Sequence, residues 1–438
     1  MSLNLDQINR KIFLLKIYAF FAYGTSVFYF LFALIWFYLN GISVAEIFAY
    51  NIFVVVIMLI FNNLSSRLSD KIKKRAFFMI MVKILSILAV IVIILDVSLM
   101  SLMIFAFLLY FISNETFLTA YFYELLEARE RIKSEVNSNF RENKSKEFTK
   151  FRIMGSIGWA IGGPIAGFII EAGNNITNSS LKGFQIAFFI SIVMNLINIC
   201  YLYTITRCVE SKLKIGKGIS KEMNQQQINK VKNKRSLFRN YEFLFLLSIT
   251  FVLEISLSLS ASIKTIYATE LGGTYLFVGL LAFVWAMCEV PLFFISASLV
   301  EKFSYKVPIL ISAVFLIVKY LFYIYIVTPE TLLLFLLLEA LNTFGILWPA
   351  ITYAINNIAK EKKAFGTSIY LTLMALARFI GYIIGMVLAI TYNIGGNYEN
   401  YKILFVWALF LAFMGVVIFL IFNLLILKAK YKNKKLIR

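Results

Sequence analysis

Ionisable side chains fall inside runs of sequence that are otherwise apolar, among them Glu115, Glu254, Glu289, Lys319, Glu339 and Arg378. Glu124 and Arg152 stand nearer the polar ends of two further runs. A charge at the centre of a hydrocarbon layer costs about 2.5–3.5 kcal/mol, so a set of them persists only where the groups are paired, wetted or put to use. Glu254, Glu289, Lys319, Glu339 and Arg378 occur one to a run in five successive runs. Three acids against two bases leaves one carboxylate unpaired or sharing a partner, and desolvation raises the pKa of such a group. The chain has no histidine, which excludes a histidine relay, so a carried proton must ride on carboxylates. Two readings of the set stand side by side. It is either a group of structural ion pairs, Glu254 with Arg378 for instance, or a network lining a water-filled cavity.

The elements that must position these groups follow from composition. At 61% hydrophobic and 15% charged residues, with a mean hydropathy of +0.83, the chain lies outside the range of water-soluble globular proteins. Its solvent is lipid. Apolar runs near twenty residues, enough to cross roughly 30 Å of hydrocarbon as helix, recur throughout, and they lack the alternation of barrel strands. We place twelve spans at 13–38, 43–63, 76–96, 99–123, 152–171, 184–206, 243–263, 275–299, 308–327, 331–356, 365–391 and 403–427.

The net charge of +20 raises nucleic-acid binding, but its distribution points elsewhere. Of the 43 lysines and arginines, 36 fall in the segments that alternate spans place on one side together with both termini. That is the positive-inside asymmetry, so the termini are expected in the cytosol of a multi-pass plasma-membrane protein, with the bilayer as partner and no nucleic acid. Cys200, Cys208 and Cys288 show neither metal-ligand nor redox spacing. No metal and no cofactor is expected.

The longest polar stretch divides the spans six and six, giving an expected organisation of residues 1–206, a basic linker at 207–240, and residues 241–438 with a basic tail. An internal repeat supports the division: SRLSDKIKKR (Ser66–Arg75) after span two resembles ASLVEKFSYK (Ala297–Lys306) after span eight. Each copy places an acid beside a base, Asp70 with Lys71 and Glu301 with Lys302, followed by further basic residues such as Arg75. Such pairs suit a cytosolic gate closed by reversible ion pairing, and they also suit ordinary interfacial charge.

Span count, central linker and repeat together resemble the major facilitator superfamily, although Ser66 and Lys73 stand where its signature loop has glycines. The tracts FRIMGSIGWAIGGPIAG (Phe151–Gly167) and FVWAMCEVPLFFISASLVEKF (Phe283–Phe303) resemble its lactose-permease-like branch of proton-coupled sugar and nucleoside carriers. The resemblance implies an all-α membrane protein of two pseudo-symmetric six-helix bundles, without enzymatic activity and expected to be a monomer. It implies substrate roles for Glu124 and Arg152, joined by Trp159 as a ring that stacks on the solute, with Glu254 and Arg378 in the same cavity. It further implies proton-coupling roles for Glu289, Lys319 and Glu339, the last acting without the histidine some members carry in that helix. The expected function is secondary transport of a small polar organic solute with protons. Two alternatives stay open: drug efflux by proton antiport, which the incomplete motif Gly163–Gly167 partly resembles, and a non-transporting receptor or scaffold.

Overall fold

Lipid offers no water to unpaired backbone N–H and C=O groups, so a chain of this composition satisfies them internally as helix. The computed structural model describes residues 5–72, 75–112, 114–136, 144–206, 240–325, 328–331, 346–358 and 363–436, and every regular element among them is helical. The first half comprises α1 (Leu5–Phe30), α2 (Ala33–Leu39), α3 (Val44–Ile72), α4 (Arg75–Leu95), α5 (Leu99–Tyr110), α6 (Asn114–Val136), α7 (Lys144–Thr177) and α8 (Lys182–Thr206). The second comprises α9 (Tyr241–Ala261), α10 (Lys264–Glu270), α11 (Tyr275–Phe303), α12 (Lys306–Tyr325), α13 (Trp348–Ile358), α14 (Lys363–Thr391) and α15 (Tyr398–Leu436).

The twelve expected spans fall on these elements in order. Ten coincide with helical stretches long and apolar enough to cross a membrane; the fourth is divided between α5 and α6, and most of the tenth lies outside the described residues, as does the linker from 207 to 239. The first and seventh spans are also interrupted, at Leu31–Phe32 and Ser262–Ile263. No glycine or proline marks either interruption. Packing sets them instead, since Phe32 and Ile263 are wholly buried at the two turns. Several helices outrun the expected limits, α6 to Val136 and α7 from Lys144. Hydropathy marks where lipid stops, whereas a stretch such as ELLEARERIK carries on as helix through its own propensity.

Sidedness within each helix follows the 3.6-residue period. On α4 the stripe Ile84, Leu88, Ile91 and Leu95 is exposed to lipid, while Met79, Val82, Lys83, Ser86, Val90 and Ile93 face the bundle.

The repeat extends well beyond the loop that reveals it. Helices α2, α3 and α4 begin at 33, 44 and 75, and α10, α11 and α12 at 264, 275 and 306, a constant offset of 231 residues (264 less 33, for example). The turns keep step too. Gly41 and Gly272 hold φ of 90° and 89°, a conformation glycine adopts without a Cβ penalty. Ser43 and Thr274 then cap the next helix, accepting from Glu46 N at 3.3 Å and Phe277 N at 3.1 Å. In the second copy of the signature loop, Ser304 is held at φ 84°. It occupies the place of Lys73, where the superfamily pattern has glycine, so the backbone keeps a glycine-type bend without the glycine.

The halves meet along two seams, α7 with α11 and α3 with α14. On the first, a Cβ added to Gly163 or Gly279 would strike the backbone of the other, and one on Gly167 would strike the Tyr275 carbonyl. On the second, Phe48, which the offset equates with Gly279, fills the space left by Gly385.

Two stability outcomes are expected. Gly279→Val opposes backbone that cannot yield, so it should lower stability by about 1–3 kcal/mol and reduce the Tm of the purified protein. Ser304→Gly should raise stability by about 1 kcal/mol by relieving a positive φ, read as a higher Tm in the same assay.

Candidate functional site

Helices α9 and α14 lie almost backbone to backbone because Gly381 leaves room for Ser258 and the Ile255 carbonyl. Beside that contact Arg378 Nε donates to Glu254 Oε1 at 2.5 Å. The Arg378 side chain is 46% exposed, the Glu254 side chain 15%. Helical spacing decides what Arg378 is exposed to. It shares a face with Tyr382 and Gly385, the residues that meet Phe48 of the other half. The exposed apolar residues Leu376 and Val387 lie about 180–200° around the helix from it, at 100° per residue. The guanidinium therefore opens between the halves and not onto lipid. Tyr370 and Tyr382 flank the pair from α14, and Tyr110 of α5 lies within electrostatic reach of Arg378 and of Tyr50 on α3.

The first half presents an aromatic wall to this space. Phe30, at the interruption of the first span, has its ring 5.9 Å from Tyr110 and 6.5 Å from Trp159. The Trp159 indole N–H is buried and has no hydrogen-bond partner among the described residues, leaving a donor for whatever fills the space. Arg152 places its guanidinium 5.5 Å from the Trp348 ring centroid, joining α7 to α13 across the halves, and Lys264 lies 4.7 Å over Trp285. Both are cation–π geometries.

Lys319 is wholly buried on α12, with its ammonium 5.1 and 5.4 Å from the Tyr320 and Tyr323 rings and 3.5 Å from Ser260 Oγ. Glu289 is half-buried on α11, one turn beyond Trp285. Glu339 and the side chains of Asp70, Glu301 and Glu115 lie outside the described residues. Lys71 and Lys302 are exposed near the ends of α3 and α11. Glu124, expected beside Arg152, accepts instead from Arg75 at 2.9 Å. That ion pair joins a residue expected at the solute site to one expected at the gate, and both belong to the first half.

Three features escaped the sequence reading. Lys83 is buried at 2% exposure on the bundle-facing stripe of α4 and forms no ion pair with any described residue; a lone lysine in an apolar run was signal enough. Glu147 gathers Lys16 and Lys150 at 2.8 Å and Arg129 at 3.7 Å, tying α1, α6 and α7 together. Glu171 and Glu270, at helix ends, lie where the halves touch.

Comparison with known proteins gives a consistent picture. Residues 12–396 match the model of the MFS_1 like family. No curated protein sequence matches the chain. Among solved structures, a variant of the nucleoside transporter NupG aligns with a TM-score of 0.69 over 94% of this chain and 99% of its own, at 12% identity. A bacterial homolog of the human lysosomal transporter Spinster, inward-facing and unoccupied, aligns at 0.69 over 96% and 98%, at 11% identity. A bacterial homologue of the iron transporter ferroportin, also inward-facing, aligns at 0.64 over 96% and 99%, at 12% identity. At these identities the likeness is one of fold.

The ion pair separates two roles experimentally. Glu254→Ala should lower stability by about 1 kcal/mol, because the half-exposed Arg378 guanidinium loses its partner but keeps access to water. Replacing both partners by apolar residues, Glu254→Leu with Arg378→Met, should restore most of that loss in thermal unfolding. If the pair also holds solute, the restored double variant stays folded yet binds none.

Proposed function

The chain belongs to the MFS_1 like family and is a multi-pass membrane transporter, from which premise we propose that its cargo is a small polar organic solute of sugar or nucleoside type, carried by alternating access and coupled to protons. It is not an enzyme, the matching family and folds being those of transporters. Within the family we assign it to the lactose-permease-like branch, on the tracts around Arg152 and Glu289.

The observation that carries this reading is the Glu254–Arg378 pair, open between the halves and ringed by Tyr370, Tyr382 and Tyr110. A paired carboxylate and guanidinium can exchange hydrogen bonds with one another for bonds to hydroxyl or amide groups of a solute, at little net cost. Phe30, Trp159 and Trp348 offer faces for a sugar or base ring. Arg152 on Trp348 spans the two halves, so a solute drawn to either group bears on their relative position. The Arg75–Glu124 pair, by contrast, suits a role in anchoring α4 to α6.

The glycine contacts of the seams, Gly163 with Gly279, Gly167 with Tyr275 and Gly385 with Phe48, lie toward the end of the bundle away from the N terminus. Coupling falls to Glu289 and Glu339, with Lys319 as alternating partner. Glu289 is half-buried on α11, and Lys319, held beside two tyrosine rings, supplies the compensating charge.

Two measurements test the proposal. Thermal stabilisation of the purified protein across sugars, nucleosides and amphipathic drugs should select one of the first two classes, since ligand binding to the native state raises apparent stability; selection of drugs would replace the reading with efflux. In reconstituted vesicles, Glu289→Gln or Glu339→Gln should abolish accumulation against a gradient while sparing exchange. Intact accumulation in both variants would move the proton elsewhere.

A further inference from the structure

Two carboxylates outside the solute site connect the halves at the end away from the N terminus, in opposite directions. Glu171, on α7 of the first half, accepts from the Leu276 backbone N–H of the second at 3.1 Å. Glu270, ending α10 of the second half, accepts from the Tyr38 hydroxyl of the first at 2.7 Å. The Tyr38 oxygen in turn accepts from Gly396 N at 2.7 Å, so it grips the second half twice. Each half therefore lends the other one carboxylate and one donor.

The repeat explains why Glu171 is needed. In the first half Glu46 turns back to accept from Ser43 N at 2.7 Å, so the start of α3 supplies its own carboxylate. The offset puts Phe277 at the matching place in α11. That helix start keeps its Thr274 cap but has no acid of its own, and its Leu276 N–H, one of the unpaired donors of a first turn, is met from across the seam.

We propose that Glu171 and Glu270 are the outer latch of the carrier: two reciprocal carboxylate clasps that hold the halves together on the far side and release them in the outward-open state. The inference rests on the alternating-access reading. Carboxylates suit a latch that must open repeatedly. Closed, each makes a charge-assisted hydrogen bond at a half-buried rim; open, both carboxylate and donor regain water, so neither state strands a polar group.

The test uses the full chain in lipid nanodiscs, with its three cysteines replaced by serine and spin labels on Ile176→Cys and Tyr392→Cys, which are exposed on opposite halves at this end. Pulsed electron resonance then reads the width of the outer rim. Tyr38→Phe, which loses the bonds to Glu270 and Gly396, and Glu171→Met, which removes the acceptor for Leu276 N–H, should each raise the ratio of wide to narrow rim about tenfold or more, and the double variant should multiply the two effects. Both substitutions nearly preserve shape, which guards against loss of the fold. A double variant with the wild-type distance distribution overturns the latch. The readout needs no solute, so a rim that widens in a protein without flux keeps the latch and removes the carrier reading, whereas flux with an unmoved rim does the reverse.

Discussion

Gly163 and Gly279 have no side chains, and the backbone of each passes through the space a Cβ on the other would fill. Backbone-to-backbone approach of this kind is the main source of helix association in lipid, where burying apolar side chains against one another gains little over burying them in acyl chains. The rest of the protein is arranged around that closeness. It brings α7 against α11 and so carries Arg152 to Trp348 of α13. It also brings the start of α11 within reach of Glu171. The matching seam uses a different solution, the Phe48 ring lying in the gap at Gly385. One seam is thus set by backbone and the other by a side chain that has rotamers.

The charges obey a second constraint. Lipid tolerates ionised groups only where protein or water surrounds them, and each one described here meets it differently. Arg378 and Glu254 hold each other beside an opening. Lys319 lies between two tyrosine faces, and Lys264 over an indole. Glu147 draws three cations at the N-terminal end of the first half. Cation–π contacts recur because this chain is rich in rings and poor in acids: they shelter a positive charge without adding a second ionised group to desolvate.

Much of this was legible from residues alone. Apolar runs located the spans because lipid imposes one requirement on all of them, and Glu254 with Arg378 was one pairing that the charges inside those runs allowed. The limits are equally physical. Interruptions at Leu31–Phe32 and Ser262–Ile263 are set by burial of Phe32 and Ile263, which no local residue announces. Glu124 was read with Arg152 on the resemblance to the lactose-permease-like branch, yet Arg75 is its partner across α4 and α6, a pairing that depends on helix rotation. Glu171 and Glu270 escaped notice because their partners are a backbone N–H and a phenol. Neither donor leaves a trace in a map of charges.

The constant offset between the halves has a consequence for how this chain can change. One residue added inside α3, or inside its twin α11, would rotate the rest of that helix by about 100° relative to the part before it. Side chains facing the bundle would then turn toward acyl chains. Substitution carries no such penalty, and the copies differ freely in it, glutamate at 46 answering phenylalanine at 277. From the start of α2 to the start of α4 the molecule thus behaves as a ruler used twice: its lettering has been rewritten, while its graduations still agree.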